Sequence, residues 1–135
     1  MDAAAYVSEH LERFRKADRD GAFCGLIDRD LGLVPHLVRA YSSERNPEVK
    51  AFIVEVLWQQ RDAAAIPTLG QALFEPDSRV WKEALSGLVA LASAESLGAL
   101  RAARARRFKS QAATDEFSRW LEEAIEQGET ALKGE

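Results

Sequence analysis

Few side chains in this sequence have a type and spacing that could do chemistry. The histidines are His10 and His36, and the one cysteine is Cys24. His10 falls in a stripe at helical spacing with Tyr6, Val7, Leu11 and Phe14, and no cysteine or second histidine stands at a metal-ligand distance from it. A packed or half-exposed imidazole is the expectation. Cys24 has no internal disulfide partner and lies between Phe23 and Leu26, which predicts a buried structural thiol. Asp18-Arg19-Asp20 and Asp28-Arg29-Asp30 each set two carboxylates two residues apart, a pairing that a hard cation or an acid–base couple could use. Neither has the glycine and closing glutamate of a calcium loop, so both read as turn and cap charges.

The densest charged stretch is Arg101, Arg104, Arg106, Arg107 and Lys109. On one helix from Glu95 to about Ser110, Arg101, Arg104 and Arg107 would share a broad side, with Arg106 and Lys109 on another. Cations near a helix C-terminus complement its dipole. The sharper reading is an anion or phosphate surface, although no aromatic platform beyond Phe108 accompanies it. There is no glycine-rich phosphate loop, no Cys/His cluster and no G-x-S-x-G elbow. These observations predict a protein that is not an enzyme and holds no cofactor or metal.

These residues are carried by a pattern written twice. Asn46-Pro47-Glu48-Val49-Lys50-Ala51-Phe52-Ile53 followed by Leu57 is matched, 31 residues on, by Asp77-Ser78-Arg79-Val80-Trp81-Lys82-Glu83-Ala84 followed by Leu88. Ile66-Pro67-Thr68-Leu69 aligns with Leu97-Gly98-Ala99-Leu100 at the same spacing. A period of this size signals a helical solenoid. Val49, Ile53, Val56 and Leu57 share one face, with Ala51, Val54 and Trp58 on the next, as in a helix packed on two sides. Asp20–Tyr41 is a degenerate copy in which Val34-Pro35-His36-Leu37 opens its second helix. Before it, Ala3–Lys16 reads as a helix. After the copies, Thr114-Asp115-Glu116 starts a capping helix with Phe117, Trp120, Leu121, Ala124 and Ile125 inward, which Gly128 can end.

The stretch Leu31–Phe108 resembles the HEAT repeat, in particular its short bacterial form. The matching residues are Asn46, Val49-Lys50, Ile53, Leu57, Ile66-Pro67, Leu69 and Leu73, then Asp77, Val80, Ala84, Leu88, Leu97 and Leu100. Trp81 stands where the family has a basic residue, and Gly98 where it has the second-helix proline. The resemblance implies an all-α fold: a short right-handed solenoid of about three helix pairs. The expected organisation is an N-terminal helix over 1–17, repeats over 18–45, 46–76 and 77–110, and a C-terminal capping helix and tail over 111–135.

In such a stack the second helices line a surface. His36, Thr68 and Ala99 occupy equivalent places, as do Arg39, Gln71 and Ala102, and the polar members are expected to face solvent. Trp58 and Trp120 are expected in the core. Trp81 is either packing between repeats or an exposed partner anchor. The candidate partner-binding residues are therefore His36, Arg39, Thr68, Gln71, Trp81, Arg101 and Arg104.

Composition sets the partner class. In 135 residues, 22 acids outnumber 18 Lys and Arg, and the formal charge of −4 favours a protein partner over general nucleic-acid binding. No apolar run reaches the length of a membrane span, and Met1-Asp2-Ala3 opens no signal peptide, so a cytoplasmic protein is expected. The reading is a non-enzymatic protein-binding module, with a bacterial immunity or antitoxin-like protein as its specific form. The alternative is nucleic-acid or phosphate binding through residues 101–109.

Overall fold

The structure is a computed structural model in which residues 2–134 are described. Among them there are helices and no strand: α1 (Ala3–Arg15), α2 (Arg19–Leu26), α3 (Val34–Ser43), α4 (Pro47–Gln59), α5 (Ile66–Ala72), α6 (Ser78–Leu91), α7 (Ala94–Ala102) and α8 (Gln111–Lys133). Short 3-10 turns occupy Arg29–Leu31, Ala63–Ala65 and Ala103–Ala105.

Each helix starts where a short polar side chain or a proline can relieve its free N–H groups. The carboxylates of Asp2, Asp18 and Asp77 accept from Ala5, Gly21 and Arg79, and the Asn46 amide oxygen accepts from Glu48. Ser93 and Ser96 form a reciprocal capping box at the head of α7. Pro35, Pro47 and Pro67 sit in first turns, where a missing N–H costs nothing. The turns inside the two clear repeats share a backbone device. Arg61 and Ala92, 31 residues apart, both adopt the left-handed conformation (φ 55° and 49°), and each precedes a capping residue, Asp62 or Ser93.

α4 and α6 form the most extensive helix pair, and α8 stacks on α6 as α6 does on α4. α5 packs on α7, and α7 on α8. The core runs through this stack. At matching places in the repeat, Leu57, Leu69 and Leu100 are fully buried and Leu88 nearly so. At the other end α1 packs on α2, α3 and α4, and the buried Gln60 amide donates to the Leu26 carbonyl at 2.5 Å, tying α4 to the end of α2.

Three local expectations are corrected. α8 starts at Gln111, capped by Ser110, rather than at Thr114; the Thr114 hydroxyl instead accepts from the Phe108 N–H at 2.9 Å. α8 also runs through Gly128. That glycine is buried because Leu97 Cδ1 lies 3.2 Å from where a Cβ would stand, so it permits a close approach rather than a stop. The basic segment does not form one helix. α7 ends at Ala102, so Arg101 lies on α7, Arg104 in a 3-10 turn, and Arg106, Arg107 and Lys109 in the loop before α8.

Candidate functional site

The second-helix residues divide into three groups. His36 and Arg39, one turn apart on α3, line a groove of about 490 Å³ against α1, beside Val7, Leu11 and the Arg15–Glu44 ion pair. Arg39 is exposed. His36 is half-buried rather than exposed, because α1 covers it. Its Nδ1 is buried and has no hydrogen-bond partner among the described residues. Burial pushes the Glu44 carboxyl up, but the bond from Arg15 and the backbone N–H groups of Asn46 and Arg45 together outweigh it and hold that group below its usual range.

On α5, Gln71 is exposed as expected, but Thr68 is buried, 6% exposed. Its place in the repeat is polar in type and interior in position. One turn past Gln71, Phe74 is 51% exposed, the most open of the large apolar side chains among the described residues. The structure also exposes Ala105, 31 residues on, so the position faces outward in both copies, although neither residue type signals it.

At the α7–α8 seam three of the cations, Arg101, Arg104 and Arg106, are occupied. Arg101 pairs with Glu129 at 2.7 Å, and Arg104 holds Glu122 through two hydrogen bonds of 2.8 and 3.0 Å. Arg104 is the first cause of the lowered Glu122 pKa. Arg106 donates to the Leu73 carbonyl, and its guanidinium lies 3.8 Å from the Phe108 ring centroid. Desolvation lowers its pKa from the usual arginine value. Arg107 donates to the carbonyls of Arg104 and Arg106. Arg107 and Lys109 remain exposed.

Trp81 is not an exposed anchor. It is 3% exposed and packed edge-on against Phe117, with Phe108 and Trp120 completing the cluster. The volume it fills lies between α6 and α8. Trp120, expected in the core, is 45% exposed at the rim of this cluster, with the Lys82 ammonium 4.6 Å from its ring centroid. Trp58 is half-buried and donates its Nε1–H to Glu83 at 2.9 Å.

The remaining chemistry-bearing residues are scattered. His10 is buried, its Nδ1 2.9 Å from the Tyr6 carbonyl, and Gly25 leaves the space that the ring fills. Cys24 is exposed rather than buried, because α2 packs through Ala22 and Leu26 and turns Cys24 outward. Asp18 and Asp28 act as caps. No group of three His, Cys, Asp or Glu side chains among the described residues could hold a metal ion.

Helix pairs α4–α5 and α6–α7, stacked with a 31-residue repeat so that α6 lies on α4 and α7 on α5, define an α-solenoid. The chain belongs to the HEAT-repeat family: the family profile described as HEAT repeats matches residues 34–126. No curated protein and no solved structure matches the chain. No helix among the described residues is long and apolar enough to cross a membrane.

Proposed function

We propose that this chain is a non-enzymatic protein-binding module that engages its partner through the outward surface of α3, α5 and α7 and the loops beside them. HEAT repeats generally mediate protein–protein interaction, which gives the class. The observation that supports the surface is the pairing of Gln71 and Phe74. These neighbours on the second-helix layer stay open to solvent while Ile66, Thr68, Leu69, Ala72 and Leu73 beside them are buried. Arg39 extends the surface toward α1. Arg101 and Arg104 lie at its far margin, where their ion pairs with α8 make them framework as much as contact. Thr68 and Trp81 are left out because their side chains are buried.

The test is a pull-down from the native cell, with Arg39→Glu and Gln71→Arg on the second-helix layer and Ser86→Arg on the first. The reading expects the second-layer changes to weaken capture of one specific protein by about tenfold or more, and Ser86→Arg to leave it intact. The reverse pattern would place the partner on the first-helix layer.

The finer form of this reading is an immunity or antitoxin-like protein of the bacterial cytoplasm. An acidic net charge and a helical-repeat module support it. Co-expression with the product of the neighbouring reading frame tests it: relief of that product's toxicity is the expected result, and no effect on growth ends this form of the proposal.

A further inference from the structure

The loops of the stack fall on two edges that differ in charge. One edge gathers the turns before second helices. A cleft there is lined by Arg29 and Asp30 of the turn before α3 and by Arg61 and Asp62 of the turn before α5. Arg61 donates to the Ala90 carbonyl, which brings in the turn before α7. The carboxylates of Asp28, Asp30, Asp62 and Glu95 are exposed along it.

The other edge gathers the loops after second helices. Tyr41 donates to Glu75 at 2.7 Å, joining the end of α3 to the loop after α5. Arg106 donates to the Leu73 carbonyl, joining that loop to the one after α7. Most acids here are occupied. Glu44 holds Arg15, Glu75 holds Lys50 and Tyr41, and Asp77 holds Arg79. Arg45, Arg107 and Lys109 are exposed and make no ion pair with the described residues. Phe74 stands on the middle loop of this edge, with a cation on the loop to each side.

We propose that this edge takes a short acidic segment of the protein partner, its carboxylates meeting Arg45, Arg107 and Lys109 and an apolar anchor meeting Phe74. The inference rests on the protein-binding reading above and adds the partner's chemistry. An exposed aromatic flanked by unpaired cations on an acidic protein complements an anionic, partly apolar ligand. Exposed carboxylates follow these cations in the chain, Glu48 after Arg45 and Asp115 after Lys109. An extended phosphate backbone, which depends on many uninterrupted cation contacts, is less suited to such a surface than a short acidic segment with an apolar anchor.

The experiment uses the full chain and a short fluorescein-labelled peptide of alternating Glu and Leu or Phe residues. Controls are the peptide with its apolar residues changed to Ala, the peptide with Lys for Glu, and a single-stranded oligonucleotide. Binding is read by anisotropy, and the contact is mapped by amide chemical-shift changes. The expected result is saturable binding of the acidic peptide, with shifts confined to residues 44–46, 73–75 and 106–109. Phe74→Ala should weaken it about tenfold, and Arg107→Glu with Lys109→Glu at least as much. Phe74 is exposed, so its removal leaves the fold in place. Equal or tighter binding of the Lys peptide, no saturable binding of the acidic one, or an oligonucleotide that displaces it from the same residues overturns the proposal. If Arg39→Glu and Gln71→Arg abolish binding while Phe74→Ala does not, the edge assignment fails and the second-helix reading stands. If the shifts map to α8 or the first helices, both fall.

Discussion

Trp81 meets Phe117 edge-on, the ring centroids 5.0 Å apart and the planes at 82°. This contact joins α6 to α8 at a place where the repeat pattern calls for a cation, and it makes the C-terminal helix part of the core. Trp81→Ala removes a buried ring and should destabilise the protein by about 3–5 kcal/mol, while Leu88→Ala in the same layer should cost roughly 2–5 kcal/mol. Chemical denaturation checks both. A midpoint unchanged by Trp81→Ala would mean that α8 does not seal the stack.

Two glycines should respond in opposite directions to the same substitution. A Cβ on Gly87 would stand 2.7 Å from atoms of the Trp58 side chain, whereas nothing lies within 4 Å of one on Gly98. Gly98→Ala in the exposed face of α7 should therefore stabilise by about 0.5–1 kcal/mol through the unfolded chain. Gly87→Ala should destabilise by about 1–3 kcal/mol through overpacking between α4 and α6. Equal shifts in both would contradict the close α4–α6 approach.

Glu83 carries a pH signature. Burial raises its pKa above the usual 4.5 and Glu55 adds to the rise, while the bond from Trp58 and the charge of Arg19 oppose it. A carboxyl with a raised folded-state pKa binds its proton more tightly in the fold. Its contribution is thus favourable in acid and is lost as pH rises from the ordinary carboxylate range through the raised value. Glu83→Gln keeps an acceptor for Trp58 and removes the ionisation. The variant should gain stability relative to the parent at pH 7 and lose that advantage near pH 4. A stability difference independent of pH would show that Glu83 titrates normally.

The ion pairs of Arg101 and Arg104 are surface contacts, so their weight should depend on salt. Changing both to Gln should lower the melting temperature slightly at low ionic strength, with the difference closing at high salt. A large loss that persists in high salt would mean that the α7–α8 seam depends on more than screened charge.

The helix pairs were legible because the repeat wrote them twice and because Asn46, Asp77 and the prolines mark helix starts by side-chain chemistry. What the sequence hid had three physical sources. The αL turns at Arg61 and Ala92 repeat a backbone conformation without repeating a residue. The break at Ala103–Ala105 has no local breaker. It coincides with Arg106 reaching the Leu73 carbonyl and the Phe108 ring, contacts visible only in three dimensions. Residue type points Thr68 to solvent and family position leaves Trp81 open between packing and exposure; the space between helices decides the burial of both. Cys24 was read from its apolar neighbours, but on a helix adjacent residues face different sides. Of the candidate surface, Arg39 and Gln71 were accessible to positional reasoning. Phe74 was not, because its counterpart 31 residues on is Ala105, another apolar residue, and exposure at that place shows only in the folded stack.

The most direct test of the binding surface is site-specific photo-crosslinking in native extract, with the crosslinker at Gln71 on the second-helix layer or at Ser86 on the first. Both positions are exposed, so either can carry the probe without disturbing the core. The account predicts a single protein adduct from position 71, competed by unlabelled chain, and none from position 86. An adduct formed from position 86 alone, or a nucleic-acid adduct from position 71, would contradict it.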